Sequence, residues 1–290
     1  MLYLRNKYKI RDFFLHLRLN YQIFILSGPY LLGVLLSNNF SYLQIIQFFS
    51  VHILLFGGVT AYNSYFDKDE GPIGGLKNPP KMKLWMLYAS WILQIVGLVF
   101  AVNSGLYFVL IYLLSVLVFW MYSSPHIRLK GRPISSLLAI GLGTVICATL
   151  LGYHADGTMR LPSIIILLAA LGSMCLVISM YPLSQAYQVK EDVKRGDITF
   201  SVKYGKRGVK NIFLCLFPIG IILIAYTLRS IDLLYSIIFI VGGFVAGFIV
   251  YEVIKKLTMT VSDYKMVMRV KYFGGLLFSL SIILFTFFRK

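Results

Sequence analysis

The sequence predicts an all-α integral membrane protein, with about nine transmembrane helices bundled around a central cavity open to the cytoplasmic face. Three observations lead there. Of its 290 residues 58% are hydrophobic and only 13% charged. The apolar residues fall in blocks of about 20, the length a helix needs to cross a bilayer core. The alternating segments of roughly ten residues that a membrane β-barrel requires are missing, and without water as a partner the backbone of a span has to close its own hydrogen bonds.

The blocks run near 21–38, 42–62, 84–103, 105–124, 134–153, 161–181, 211–228, 231–251 and 270–288, within a single membrane domain over 1–290. Residues 1–20 carry Arg5, Lys7, Lys9, Arg11 and Arg18 and lack a small-residue cleavage site, so they read as a basic anchoring flank, not a removed signal. Cys147, Cys175 and Cys215 have no C-x-x-C spacing and suit packing better than metal or disulfide chemistry. Gly141 and Gly143, like Gly242 and Gly243, suit close helix packing.

The formal charge of +17 does not call for a nucleic-acid partner. When the loops are sorted by alternating sides, 24 of the 28 Lys and Arg share the side of the N-terminus and four take the other. By the positive-inside rule the N-terminus and the loops after spans 2, 4, 6 and 8 are cytoplasmic. The protein is expected as a multi-pass component of the bacterial inner membrane.

Six of the eleven acidic residues lie in two patches on that side, Asn63-Ser-Tyr-Phe-Asp67-Lys-Asp69-Glu70 and Gln188-Val-Lys-Glu191-Asp192-Val-Lys-Arg-Gly196-Asp197. Ionised groups at the ends of apolar spans are costly and mark candidate sites. If the helices continue through the patches, Asn63, Asp67 and Glu70 share one face while Asp69 points elsewhere, and Gln188, Glu191 and Asp192 share another with Tyr181 and Gln185. Gly71-Pro72 and Gly196 then serve as helix stops. Carboxylates at a helix C-terminus oppose its dipole, and a cation compensates them. Mg²⁺ takes one or two carboxylates together with substrate phosphates. The nearby Lys68, Lys77, Lys81, Lys190, Lys194 and Arg195 suit a diphosphate. The same polar span ends also suit a cation-coupled transporter, although such proteins tend to place their charged sites near the bilayer midplane.

These residues resemble the UbiA superfamily of membrane-embedded prenyltransferases. Asn63 and Asp67 match its N-x-x-x-D-x-x-x-D motif, with Gly71 in the third place and Glu70 as the available replacement. Asp192, Gly196 and Thr199 match the second motif, whose first Asp is Gln188 here, with Glu191 beside it. Tyr122-Ser-Ser-Pro125-His-Ile-Arg128-Leu-Lys130 resembles the family's Y-S-x-P-x-x-R-x-K segment. The resemblance implies transfer of an isoprenyl group from an allylic polyprenyl diphosphate to an apolar acceptor, with release of pyrophosphate. A quinone-precursor ring is the first expectation for the acceptor, with a carotenoid, tetrapyrrole or glycerol lipid as alternatives. It implies Mg²⁺ held by Asp67, Glu70, Glu191 and Asp192, catalytic roles for Asp67, Asp192 and Lys130, and substrate contacts from Asn63, Lys77, Arg128, Lys130, Tyr181, Gln188 and Lys194.

Overall fold

The computed structural model describes residues 2–288. The chain starts with α1 (Leu2–Leu17), α2 (Leu19–Ile25) and α3 (Ser27–Leu36). The stretches Ile10–Ile25 and Ser27–Leu36 meet at 45° and together are apolar enough to cross a membrane. The expected anchoring flank is thus helical, and from residue 10 onward it takes part in packing. Phe13 and Leu17 are buried against Ala61 and Met86.

The second span, Tyr42–Asp67, comprises α4 (Tyr42–Phe49), a π-helical turn at Ser50–Leu55 and α5 (Phe56–Asp67). Ser41 and Gln44 form a capping box that starts it. The apolar stretch Leu84–Ser123 is too long for one crossing. It divides into α6 (Leu84–Ala101) and α7 (Gly105–Ser123), with Gly105 at φ 81° in the join. Tyr112 Oη donates to the Gln94 carbonyl (2.9 Å) and Trp120 Nε1 to Gln94 Oε1 (2.9 Å). A straight helix would hold residues 94 and 112 about 27 Å apart, so α6 and α7 fold back as an antiparallel pair.

Next come α8 (Pro133–Ile140), a π-helical turn at Gly141–Ile146 and α9 (Cys147–His154), which form one span. α10 (Ile164–Ala186) starts from a Ser163 cap, and the short α11 (Val189–Arg195) follows it. α12 (Phe200–Arg229) is broken at Gly205, where φ is 56° and ψ is −164°. Asp232 caps α13 (Leu233–Lys256) by accepting from the Leu234 amide (2.7 Å), and α14 (Tyr264–Phe287) ends the bundle. With the bent pair and the α6–α7 hairpin taken into account, the described residues contain about nine crossings, as the apolar blocks predict.

Backbones approach most closely between α3 and α9. A Cβ on Gly33 would lie 2.0 Å from the Thr149 carbonyl oxygen, and one on Gly152 would lie 2.0 Å from that of Tyr30. Glycine at these two positions lets the helices touch, which is how helices associate where lipid supplies no hydrophobic drive. The glycines singled out from sequence divide: Gly141, Gly143 and Gly243 are packed tightly, while a Cβ on Gly242 meets nothing within 4 Å. Gly152→Leu is expected to lower stability by about 3 kcal/mol or more through overpacking, whereas Gly242→Ala stays near wild type. Thermal unfolding in detergent, followed by size-exclusion chromatography, measures both.

Helices α2, α5, α7, α8, α10, α11, α12, α13 and α14 surround a central cavity of about 320 Å³. Its walls are mostly apolar, with Phe56, Phe119, Phe217, Phe239 and Phe278 among them, and its acidic residues gather with their basic partners at one polar end.

Candidate active site

Both acidic patches reach that polar end, by a geometry the helical reading missed. Helix α5 stops at Asp67 because Lys68 takes a left-handed conformation, φ 52° and ψ 38°. Asp67 therefore sits at the last turn, while the next residues leave along a loop. Extending the helix to Gly71-Pro72 had put Glu70 on the face of Asp67 and turned Asp69 away. In the folded chain Asp69 lines the cavity, and the Glu70 side chain is 82% exposed beside Lys194 (3.7 Å), itself 77% exposed.

The second patch is likewise a separate helix. α10 ends at Ala186, and Gln188, half-buried at the cavity wall, is the residue before α11. Asp192 points inward from α11, and Gly196, at φ 78°, terminates it as the sequence suggested. Lys130 arrives on a single helical turn, Leu129–Gly131, preceded by Arg128 at φ 47°. Arg18, Lys68 and Arg128 are all non-glycine residues with positive φ beside the cavity, a conformation that costs on the order of 1 kcal/mol each and persists only when neighbours enforce it.

The polar end is a network of buried ion pairs. Lys130 Nζ contacts Asp67 Oδ1, both almost wholly buried. Arg195 contacts Asp69 and Asp192 (2.7 Å) and lies 3.4 Å from Asp197. Arg128 grips Asp197 with two hydrogen bonds, 2.7 and 2.8 Å. Thr199 Oγ1 donates to Asp192 Oδ2 (3.1 Å), and Ser123 Oγ donates to Asn63 Oδ1 (2.8 Å). The loop after α7 is tied to the one after α11 where the Ile198 amide donates to the Gly131 carbonyl (3.0 Å).

These surroundings push two carboxyls in opposite directions. Burial raises Asp192 to about 6, against the pull of Arg195, Thr199 and Lys130. Burial also opposes ionisation of Asp197, but the Arg128 hydrogen bond and the charges of Lys130, Arg128 and Arg195 outweigh it and hold that carboxyl below its usual range.

The site residues named from sequence thus separate into groups. Asn63, Asp67, Lys130, Tyr181, Gln188 and Asp192 all line the cavity, and Tyr181 Oη shares a hydrogen bond with Tyr122 Oη. Arg128 is paired with Asp197 and does not itself line the cavity. Glu191 faces the first loop, accepting from the amides of Glu70 (2.7 Å) and Gly71 (3.3 Å). Lys77 is exposed and does not line the cavity. Asp69 and Asp197 line the cavity without being singled out by the motifs, and Arg195, one of six basic residues that suit a diphosphate by sequence, is the one of the second patch that lines it. The signal for Arg195 was its spacing of three and four residues from Asp192 and Glu191, which brings helical side chains together; the exposed Lys194 lacks that geometry.

Four aspartates thus face one cavity. Among the described residues, no three His, Cys, Asp or Glu side chains converge to hold a metal ion by themselves. Asp67 and Asp192 are nonetheless hard oxygen donors, nearly buried, with cations already beside them. That donor set fits a divalent metal whose remaining ligands are phosphate and water.

The comparisons with known proteins agree with this layout. No curated relative matches the sequence. A UbiA homologue from Archaeoglobus fulgidus, solved with GPP and Mg²⁺, superposes with a TM-score of 0.71 at 19% identity, covering 94% of this chain and 99% of that one. The same archaeal homologue with DMAPP and Mg²⁺ gives 0.70 at 19% identity, again over 94% and 99%. A digeranylgeranylglyceryl phosphate synthase structure gives 0.63 at 20% identity over 96% and 98%. At such identities the likeness is one of fold. The family is shown by the sequence itself, which matches the UbiA prenyltransferase family over residues 24–271, so the chain belongs to that family.

Proposed function

We propose that the protein transfers an isoprenyl group from an allylic diphosphate to a lipophilic acceptor in a Mg²⁺-dependent reaction that releases pyrophosphate at the cytoplasmic face. One observation carries this reading: Asp67 and Asp192, 125 positions apart in sequence, meet with Lys130 and Arg195 at the mouth of a single apolar cavity. The excess of Lys and Arg on the same side supports the cytoplasmic orientation.

Asp67 and Asp192 would hold Mg²⁺, with Asp69 and Asp197 nearby. Bound there, the ion supplies Lewis-acid stabilisation of the leaving diphosphate. Lys130 and Arg195 add fixed positive charge where negative charge develops as the allylic C–O bond breaks and pyrophosphate departs with the electron pair. Such preorganised electrostatics are usually the largest catalytic contribution. The apolar walls would hold the prenyl chain and keep water from the electron-poor carbon, and Tyr122 and Tyr181, which line the cavity, would offer that carbon aromatic side chains. The acceptor forms the new bond and gives up a proton. The archaeal homologue's complexes with DMAPP and GPP, each with Mg²⁺, support this choice of donor and metal.

Glu191 has a different task, clamping the Glu70–Gly71 loop over the mouth. Glu191→Ala is expected to raise the KM for the diphosphate donor several-fold and speed amide exchange at Glu70 and Gly71, leaving the Mg²⁺ concentration for half-maximal activity within about twofold of wild type, because neither lost hydrogen bond reaches the metal. A large shift in that concentration would instead make Glu191 a ligand.

The experiment that tests the function is pyrophosphate release by purified protein in detergent, with Mg²⁺, allylic diphosphates of increasing length, and a membrane extract as acceptor source. Release that needs both Mg²⁺ and extract is expected, with the prenylated product identified by mass spectrometry. No release from folded protein with any donor would overturn it.

A further inference from the structure

On the outer side of the bundle, α13 and α14 form an open recess of about 420 Å³, lined in part by Ile249, Val253, Ser262, Lys265, Arg269 and Phe273. Lys265, Arg269 and Phe273 recur at i, i+4 and i+8 and so make one stripe along α14. The stripe is exposed, and the buried Val267 and Lys271 take the opposite face. Lys271 turns into the central cavity, where its Nζ donates to Tyr21 Oη (2.5 Å) and to Ser184 Oγ. Helix α14 thus carries basic side chains on both faces, and only the inner face belongs to the cavity.

The acidic residues nearest in sequence are already engaged. Glu252 accepts from Lys255 Nζ (2.8 Å). Asp263, buried in the turn between the two helices, accepts from the amides of Thr258 (2.9 Å) and Met259 (2.8 Å) and from the Thr258 hydroxyl (3.0 Å). Those bonds fix the turn, and Ser262 Oγ shares hydrogen bonds there with the hydroxyls of Thr258 (3.2 Å) and Thr260 (2.7 Å). Among the described residues the side chains of Lys265 and Arg269 have no ion-pair or hydrogen-bond partner.

A lysine in water needs no partner, but Arg269 is not placed in water. It lies five residues into α14, on the side that faces lipid, with Phe273 one turn deeper and Ile249 and Val253 across the groove on α13. A charged group on the lipid-facing flank of a span is costly, and an anion beside it offsets that cost. From Lys265 to Phe273 the stripe runs roughly 12 Å along the helix axis, so the recess passes from charged to apolar over the depth that separates a lipid headgroup from its acyl chains. Its charged end is the end of the aspartate network. Lys206, near the start of α12, donates to the Lys255 carbonyl (2.7 Å), and α12 begins directly after Thr199, the partner of Asp192. The excess of Lys and Arg assigns that end to the cytoplasmic leaflet, whose lipids carry negative charge.

We propose that the groove between α13 and α14 binds an anionic glycerophospholipid, its phosphate held by Lys265 and Arg269 with the Ser262 hydroxyl, and an acyl chain laid over Val253, Ile249 and Phe273. Charge complementarity selects this occupant. A zwitterionic headgroup would bring its own cation against Lys265 and Arg269, and a free phosphate would leave the apolar half of the groove uncovered. The site lies outside the cavity, takes no part in bond breaking and does not depend on the prenyl-transfer reading. Because the inner face of α14 lines the cavity through Lys271, Gly275 and Phe278, a lipid bound outside braces the cavity wall from behind.

The test uses the full-length protein, delipidated in an uncharged detergent, and native mass spectrometry with added phosphatidylglycerol or phosphatidylcholine of the same acyl chains. Wild type is expected to bind its first phosphatidylglycerol at least about tenfold more tightly than phosphatidylcholine, the size expected of two basic side chains beside one anionic headgroup. Its melting temperature should also rise more with phosphatidylglycerol. Lys265→Gln with Arg269→Gln brings the two lipids within about threefold of each other. Lys203→Gln with Arg207→Gln, which removes the same charge from exposed positions on α12 outside the groove, keeps the preference. Val253→Trp, which fills the groove and leaves both charges, weakens phosphatidylglycerol binding about fivefold or more. Equal binding of the two lipids by wild type would overturn the proposal. So would equal losses in the two glutamine pairs, which would make the preference a matter of net charge. Displacement of the lipid by glycerol 3-phosphate at a comparable concentration would assign the groove to a soluble anion instead, and a dimer that Val253→Trp dissociates would assign it to a second copy of the chain. Should Val253→Trp fail to elute as a single species, the glutamine pairs decide. No measurement here needs substrate, so failure of prenyl transfer leaves these comparisons intact.

Discussion

Asp192→Asn is expected to lower Mg²⁺-dependent pyrophosphate release by about a thousandfold or more and, at neutral pH, to make the protein more stable. The first effect follows from the proposed role of Asp192, a charge that would hold the metal where the leaving group departs. The second follows from where that charge sits. Burial raises the Asp192 carboxyl from 3.8 to about 6, despite Arg195, Thr199 and Lys130 around it. A raised carboxyl binds protons more readily in the folded state, so its stabilising contribution is present at low pH and is lost as pH rises toward 6. Above 6 the full cost, on the order of 3 kcal/mol, is borne by the folded protein. Asparagine avoids it, and Arg195 keeps Asp69 and Asp197 as partners. The gap in melting temperature between variant and wild type, in metal-free detergent, should widen from pH 4 to pH 6 and stay constant above. A variant both inactive and less stable at pH 7.5 would show that Asp192 serves the fold.

Lys130→Met also lowers activity and has the opposite effect on stability. Lys130 and Asp67 are buried against each other, and removing one member strands the other, at about 3–5 kcal/mol. Activity should fall about 10²–10³-fold through loss of charge stabilisation at the leaving group. The double variant Asp67→Asn with Lys130→Met is expected to recover most of the lost stability and none of the activity. Melting temperatures of wild type, both single variants and the double variant give the coupling directly. Simple addition of the two single losses would mean the pair contributes little to the fold.

The span pattern was legible because a bilayer leaves few solutions: long apolar blocks become helices, and charge bias sorts their ends. Asp67, Asp192 and Lys130 were legible because their spacing from Asn63, Gly196 and Tyr122 makes recognisable motifs. A helix continuing past Asp67 favours Glu70 over Asp69. One left-handed residue, Lys68, brings Asp69 to the cavity instead, and lysine gives no local warning of such a conformation. Lys271 was hidden by a different cause. Counted by side, it is one more loop charge; only the tilt and packing of α14 against α2 and α10 turn it inward. Gly33 and Gly152 were missed because their partners are backbone carbonyls on helices more than a hundred residues apart in sequence, outside any local periodicity.

The ion-pair network at the mouth also sets the order of events in solution. Lys130, Arg195 and Arg128 are already satisfied by aspartates of the same chain, so the site is not a bare basic funnel that draws anions from a distance. A diphosphate arriving alone would face those aspartates, and a divalent cation arriving alone would face those basic side chains. Arriving together, they replace each internal pairing with an external one of the same sign, and every charge keeps a partner. Donor and Mg²⁺ should therefore bind with strong mutual synergy, each tightening the other by the same factor. Because the exchange is nearly charge-neutral and takes place out of bulk solvent, ionic strength should have little influence on it.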